Sequence, residues 1–136
     1  MSGKYPNTFY RVSLKALIQN DKGEVLSVKE GETQWSLPGG GIEHGETAHE
    51  ALARELYEEV LIDTSFTEEI IAMETNYLPE KEAWLMWVVY RVKVESLNPG
   101  RGLDAIDVTW LKPEEYKDIP GKGSRLIYEL AKKYRD

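Results

Sequence analysis

The sequence predicts an α+β fold, and three patterns of side chains carry that prediction. Apolar and polar residues alternate over residues 11–18, which is the period of a β-strand. Over residues 47–60 and again over 124–134, apolar residues recur every three to four positions, which is the period of a helix. Strands combined with two main helices indicate a layered α+β domain.

The N-terminal part of the chain supplies the first predicted strands. Four apolar residues of the 11–18 segment share one face, so we expect a strand with one buried face. Residues 20–23, Asn-Asp-Lys-Gly, predict a turn into a second strand over 24–29. A short strand over 35–37 then leads into a glycine-rich loop. The four residues on the buried face are Val12, Leu14, Ala16 and Ile18.

The second half begins with the 47–60 helix, which starts at Thr47 or Glu46, where the positive end of the helix dipole favours acidic residues. Three further strands and a final helix complete the prediction. The strands lie over 69–76, 84–94 and 105–111, and the final helix has an apolar stripe made by Leu126, Ile127, Leu130 and Tyr134.

Length and composition suit a small enzyme with one domain spanning residues 1–136. A net charge of −7 argues against binding duplex nucleic acid through a basic surface. The chain has no cysteine, which excludes disulfides, a thiol nucleophile and a thiolate metal site. It also lacks an apolar run of membrane-spanning length and a signal-peptide core near its start, so we expect a cytoplasmic protein.

Three glutamates of the 47–60 helix form a candidate metal site. At about 100° per residue, Glu55, Glu58 and Glu59 fall within an arc of about 100°. Carboxylates held so close repel one another unless a cation neutralises them. Mg²⁺ or Mn²⁺ prefers such oxygen ligands and typically takes one or two carboxylates plus substrate phosphates. The alternative is an acidic helix face that only meets water.

The loop before this helix reads Leu-Pro-Gly-Gly-Gly-Ile-Glu-His-Gly over residues 37–45. Consecutive glycines allow positive φ angles and the close approach of a ligand. Backbone carbonyl or N–H groups of this loop can therefore reach a metal or a phosphate. A tight connection between strand and helix needs the same permissive residues, and both explanations can hold together.

The loop and the helix together resemble the Nudix box of the Nudix hydrolases. The matching pattern is Gly40, five residues, Glu46, seven residues, then Arg54-Glu55-Leu56-Tyr57-Glu58-Glu59-Val60-Leu61-Ile62, preceded by Leu-Pro-Gly. Leu61 departs from the pattern, since the family has glycine there. That glycine lies just past the helix end, where a left-handed residue closes the last turn. Leucine in that conformation costs about 1 kcal/mol, so another conformation at the helix exit is the alternative.

The resemblance implies a fold, an activity and roles for particular residues. The implied fold is a mixed β-sheet between helices. The implied activity is Mg²⁺-dependent hydrolysis of the pyrophosphate bond in a nucleoside triphosphate, a nucleotide sugar, ADP-ribose or a dinucleoside polyphosphate. The implied metal ligands are the side chains of Glu55, Glu58 and Glu59 and the backbone carbonyl of Gly39, with Arg54 and Glu46 orienting these ligands. One of the three ligand glutamates is also a candidate general base.

The general base and the substrate site stay open at the level of sequence. Besides the helix glutamates, the base candidates are Glu80, Glu82, Asp104 and Asp107, each of which has a solvated loop position as the alternative. Trp84 and Trp87 have opposite parity on one strand, so one can stack on a nucleobase while the other packs in the core. We expect Trp35 to lie in the core.

Two pairs of cations could meet substrate phosphates. Arg11 and Lys15 share a face of the first strand, and Arg91 and Lys93 share a face of the long strand. The alternative is that both pairs only form the polar faces of half-buried strands.

The competing class of function is a Nudix module that binds a nucleotide or regulates a partner without cleavage. Degenerate modules usually lose carboxylates of the box, whereas this chain keeps all of them, including Glu46. This observation favours an enzyme. A small domain with a tryptophan-rich strand is also compatible with a homodimer.

Overall fold

The computed structural model describes residues 9–29 and 34–135, and it confirms the predicted α+β class. Residues 1–8, on which most of the expectation about a signal peptide rests, lie outside these ranges. Within them, none of the helices combines the length and the apolar character needed to cross a membrane.

Strands form two sheets, and three helices pack around them. The larger sheet is mixed, with the order β4-β1-β6-β5, in which β1 and β6 are parallel; the smaller sheet is antiparallel, with the order β3-β2-β7. The strands are β1 (Tyr10–Leu17), β2 (Val25–Lys29), β3 (Trp35–Ser36), β4 (Gly39–Gly41), β5 (Phe66–Leu78), β6 (Ala83–Val94) and β7 (Asp107–Leu111); the helices are α1 (Ala48–Val60), α2 (Pro113–Lys117) and α3 (Lys122–Tyr134).

Two apolar cores lie on the two faces of the mixed sheet. The first contains Leu56 of α1 and Val88 of β6, and the second contains Ile127 of α3 and Val89 of β6. Consecutive residues of a strand point to opposite faces, so the two valines divide the cores between α1 and α3. The sheet is therefore covered by helices on both sides, as the resemblance implies.

β1 is buried on both faces, so the prediction of one buried face is wrong. Leu14 and Ala16 lie in the core under α1, as predicted. On the other face, Leu17 belongs to the core under α3, and Lys15 keeps only 9% of its surface exposed. The alternation of apolar and polar residues along β1 shows which face of the strand is polar. It does not show whether other segments of the chain pack over that face.

Helix α1 begins where the sequence predicts, and a reciprocal pair of hydrogen bonds fixes its start. Thr47 is the N-cap residue: the backbone N–H of Glu50 donates to its Oγ1 (3.1 Å), and its own N–H donates to Oε1 of Glu50 (2.9 Å). This capping box satisfies two N–H groups that the helix leaves without partners. It fixes the direction in which the glycine loop enters α1.

The exit of α1 keeps the left-handed conformation although leucine replaces glycine there. Leu61 has φ 58° and ψ 32°, and the N–H of Ile62 donates to the carbonyl of Leu56 (3.2 Å). The N–H of Leu61 itself donates to the carbonyl of Tyr57 (3.2 Å), which is the bond that closes a helix at a left-handed residue. Ile62 and Leu56 both lie in the core under α1. Burial of Ile62 thus holds Leu61 in a conformation that leucine disfavours.

Leu61→Gly is therefore expected to raise the free energy of unfolding by about 1 kcal/mol, because glycine adopts this conformation without steric cost. Leu61 is 46% exposed, so little buried surface is lost. Urea unfolding measures the change, and Leu61→Ala is the matched control because alanine loses the side chain but keeps the strain. Equal stability of the glycine and alanine variants would contradict this explanation.

The connection between β6 and β7 closes the end of α1. The N–H groups of Gly100, Gly102 and Asp104 donate to the carbonyls of Val60, Glu59 and Glu58 respectively, at 2.8, 2.8 and 3.2 Å. A methyl group on Gly102 would lie 2.0 Å from the carbonyl oxygen of Glu58. Only glycine allows this approach, so the last turn of α1, which carries two glutamates of the candidate site, is held by a distant part of the chain.

Candidate functional site

Strand β4 brings the glycine loop against α1 at the edge of the mixed sheet. A methyl group on Gly40 would lie 2.6 Å from Oε1 of Glu55, and one on Gly39, whose φ is 141°, would lie 1.9 Å from the carbonyl oxygen of Leu14. Both contacts leave no room for a side chain. The consecutive glycines therefore serve close packing, and they leave the Glu55 carboxylate directly beside the backbone of β4.

Glu59 is the most deeply placed carboxylate of the site. It is 1% exposed, and the N–H of Gly39 donates to its Oε1 at 2.6 Å. A buried carboxylate is tolerated only where donors or cations compensate its charge. Glu59 thus connects the last turn of α1 to the first residue of β4.

Arg54 is the centre of the charged network. Its Nε and Nη2 donate to the two carboxylate oxygens of Glu46 at 2.7 and 2.9 Å, a bidentate contact. Its Nη1 donates to Glu55 at 2.9 Å and to Glu58 at 3.3 Å. Nη2 also donates to the carbonyl of Gly41 at 3.1 Å. One guanidinium group therefore fixes two of the predicted ligands relative to the loop.

The network lowers the pKa of one member and accompanies raised pKa values at two others. The hydrogen bond from Arg54, with a second from the backbone N–H of Glu43, lowers the pKa of Glu46 to about 2. The hydrogen bond with Glu46 in turn raises the pKa of Arg54. Burial raises the pKa of Glu55, although hydrogen bonding to Arg54 opposes this shift. Glu46 thus stays ionised at neutral pH.

Because the pKa of Glu46 falls from 4.5 to about 2 on folding, the ionised carboxylate stabilises the folded state above pH 4.5. This contribution is lost as the pH falls through about 2. We expect Glu46→Gln to be less stable than wild type at neutral pH, with the difference shrinking as the pH falls below 4.5. Thermal unfolding of both proteins from pH 7 downward measures this, and a difference that is independent of pH would contradict it.

The predicted cluster of three carboxylates is not assembled as one group. Within residues 9–29 and 34–135, no three His, Cys, Asp or Glu side chains lie close enough together to hold a metal ion. Glu55 and Glu58 meet at Arg54, while Glu59 turns to the N–H of Gly39. Like charges repel, so each carboxylate pairs with an available donor. The positions of the three glutamates around the helix do not by themselves predict that Glu59 points away from Glu55 and Glu58.

The residues present nevertheless fit a hard divalent cation. The donors are all oxygens, and two carboxylates meet at one guanidinium nitrogen beside a glycine without a side chain. Mg²⁺ needs only one or two carboxylates, since water and phosphate oxygens complete its shell. The metal-ligand roles of Glu55, Glu58, Glu59 and the Gly39 carbonyl stay predictions.

A cavity of about 700 Å³ lies on the face of the mixed sheet that α3 covers. Trp87 and Leu85 of β6 form part of one wall, and the first turn of α3 forms another. Trp35 also lines this cavity and is half-buried, so the prediction that it lies in the core is wrong. The side chain of Trp84 points the other way and is exposed beside Tyr10 and Tyr77.

Lys15 lies between the cavity and the carboxylates. Its Nζ is 5.5 Å from the centroid of the Trp87 ring, and its charge acts on the carboxyl group of Glu55. Burying a charged amine is costly unless an opposite charge meets it. The other members of the predicted cation pairs differ: Arg11 is exposed beside Gly41, Arg91 donates to the carbonyl of Tyr134 (2.9 Å), and Lys93 is exposed.

The remaining candidates for the general base lie on the surface. The side chains of Glu80, Glu82, Asp104 and Asp107 are all exposed. Their solvated positions agree with the alternative given for them, and none is brought to Arg54 by a hydrogen bond or an ion pair among the residues that the structure describes.

A family model described as the NUDIX domain matches residues 9–130. Among similar sequences, an RNA pyrophosphohydrolase of Vibrio atlanticus is 40% identical over 73 residues, which are 53% of this chain and 42% of that protein. An RNA pyrophosphohydrolase of Mannheimia succiniciproducens is 50% identical over 52 residues, 38% of this chain and 26% of that protein. The chain thus matches less than half the length of these relatives.

Solved structures share the fold over nearly the whole chain. A MutT protein of Methanosarcina mazei superposes with a TM-score of 0.77 at 24% identity, covering 95% of this chain and 97% of that one. The NUDIX domain of Shewanella oneidensis NrtR, solved with ADP-ribose, superposes with a TM-score of 0.73 at 19% identity, covering 96% and 94%.

Proposed function

Because this chain belongs to the Nudix family, we propose that it is a Mg²⁺-dependent hydrolase that cleaves the pyrophosphate bond of a nucleoside diphosphate linked to another group. The observation that carries the proposal is the meeting of Glu55 and Glu58 at Arg54, beside the bare backbone of Gly40. The names of the RNA pyrophosphohydrolase relatives support the same class of bond.

In this proposal Glu55, Glu58 and Glu59, with the carbonyl of Gly39, hold the cation. When bound, it neutralises phosphoryl charge and makes the phosphorus accessible to water. Water supplies the new P–O bond, the bridging P–O bond breaks, and both products leave as phosphates. A carboxylate of the site accepts the proton of the attacking water, and half-buried Glu58 is better placed to exchange it with solvent than buried Glu59.

Arg54 and Glu46 act as positioning residues. The bidentate contact with Glu46 holds the guanidinium plane, and the same guanidinium donates to the carboxylates of Glu55 and Glu58. Contacts of this kind fix the orientation of metal ligands and strengthen binding. The lowered pKa of Glu46 keeps the pair charged.

Lys15 and Trp87 connect the site to the substrate cavity. A phosphate placed between the Lys15 ammonium and the glutamate site is attracted to the lysine and to bound cation alike. The indole of Trp87 offers an apolar surface for a nucleobase, and stacking tolerates several bases. The cavity volume of about 700 Å³ falls in the usual range for small-molecule sites.

The test is turnover on a panel of nucleoside triphosphates, nucleotide sugars, ADP-ribose, dinucleoside polyphosphates and short RNA with a 5′-triphosphate, with Mg²⁺ and with EDTA. We expect phosphate-bearing products from at least one class, with Mg²⁺ only. Thermal stabilisation by a member of the panel without turnover on any would identify a binding module instead. ADP-ribose is the ligand in the NrtR complex, so it belongs in both measurements.

A further inference from the structure

The first turn of α3 forms a wall of the cavity and leaves its backbone N–H groups unused. Gly121 precedes the helix with φ 116°, and no side chain caps this end. The N–H groups of Lys122, Gly123 and Ser124 have no acceptor within the helix, because the first turn of any helix lacks them. By contrast, the start of α1 carries a complete capping box.

The side chain of Ser124 also indicates a ligand at this end of α3. Ser124 is 6% exposed and lines the cavity, and no described residue forms a hydrogen bond with its side chain. Its hydroxyl oxygen is not fully enclosed, since the buried side-chain oxygen without a partner among the described residues is Oγ1 of Thr64, so a ligand in the cavity can reach the hydroxyl of Ser124. A hydroxyl group and three N–H groups that meet at one cavity wall form a site for an oxyanion.

The surroundings leave room for such a group. A side chain atom on Gly121 would meet nothing within 4 Å, so the space at the helix end is open. Lys122 donates to the carbonyl of Thr75 (3.0 Å) and lies 3.5 Å from Glu74, which also lines the cavity. Lys122 therefore offsets the negative charge of Glu74, and recognition falls to the N–H groups and to Ser124.

Trp87 lies between this helix end and the candidate catalytic site. A methyl group on Gly123 would be 3.0 Å from Cη2 of the indole, and Lys15 Nζ lies 5.5 Å from the indole centroid. A nucleoside against Trp87 thus has cationic or polar groups at both ends. Its 5′-phosphate would lie towards Lys15, and the opposite side of its ribose would lie towards α3.

We propose that the first turn of α3, with Ser124, binds a second phosphate, carried on the ribose of the nucleotide in the cavity. The inference rests on the proposed function for the placement of the 5′-phosphates near Lys15. It adds that the preferred ligand is a nucleotide bearing a 3′- or 2′-phosphate or a phosphodiester besides the anhydride that is cleaved.

The test compares binding of nucleoside 5′-monophosphates with that of 3′,5′- and 2′,5′-bisphosphates and of a dinucleotide with a 5′-phosphate, in adenosine and uridine series, by calorimetry with Mg²⁺. None of these probes contains an anhydride, so binding is measured without turnover. A negative result in this binding comparison can therefore be distinguished from a negative result in the hydrolase assay. We expect at least one extra-phosphate probe to bind about tenfold or more tightly than its monophosphate. The position of the preferred phosphate distinguishes a ribose monoester from a nucleotide chain.

Ser124→Asp places a carboxylate where the phosphate would bind, and acidic residues in a first turn do not destabilise helices. We expect Ser124→Asp to abolish the tighter binding of the probe with the extra phosphate, and Ser124→Ala to reduce this difference in affinity severalfold. Ser96→Asp, which adds the same charge at an exposed position after β6, is the matched control and should keep the advantage. Equal affinity for mono- and bisphosphates in wild type, or an advantage that survives in Ser124→Asp, would overturn the proposal.

Discussion

Glu58→Gln is expected to lower kcat/KM at least about 100-fold, because changes even to residues that only orient metal ligands cost 10–100-fold. Glutamine keeps the size of the side chain but removes the charge that attracts the cation. Glu58 is 40% exposed, so the fold should tolerate the change. Steady-state kinetics over a range of Mg²⁺ concentrations, with thermal unfolding as a check on folding, measure the effect.

The matched control for this variant is Glu129→Gln, which removes one negative charge from an exposed position on α3. It is expected to leave kcat/KM unchanged. Wild-type turnover in both Glu58→Gln and Glu59→Gln would remove the basis for assigning the metal to α1.

Arg54→Lys is expected to lower kcat/KM by about 10–100-fold. Lysine keeps the charge, but it cannot form the bidentate contact with Glu46 while also donating to Glu55 and Glu58. The ligands then lose their fixed orientation. We expect a higher Mg²⁺ concentration at half-maximal rate, a readout that a merely destabilised fold would not produce.

A double-mutant cycle with Glu46→Gln separates the positioning role from other effects. If Arg54 acts through the pair with Glu46, the two substitutions together should cost clearly less than the sum of their separate costs. Fully additive losses, or an unchanged Mg²⁺ dependence in Arg54→Lys, would show that the pair does not position the ligands.

The parts of the fold that follow from local pattern were predictable from the sequence. The 3.6-residue period places α1 within one residue of its observed start, and strand periodicity finds β1, β2, β5, β6 and β7. The Thr-x-x-Glu sequence at residues 47–50 is a further signal for the start of α1. The sequence does not predict β4, which is made of glycine alone, or α2, which is a short helix that begins at Pro113.

The parts of the site that depend on distant segments could not be predicted in the same way. Lys15 is buried, and Trp87 lies beside it on a face that the alternation marks only as polar. Glu59 separates from the other glutamates because Gly39 offers it an N–H group. Leu61 stays left-handed because Ile62 must reach the core. Each result comes from a contact between segments, which no local period encodes.

Binding of Mn²⁺, measured by electron paramagnetic resonance, tests most directly the claim that the glutamates of α1 hold a divalent cation. Titration of wild type should reveal bound Mn²⁺ that Mg²⁺ displaces. The double variant Glu58→Gln, Glu59→Gln should lose that binding, while Glu129→Gln should keep it. Mn²⁺ bound with equal affinity by wild type and the double variant would contradict the assignment of the metal site to α1.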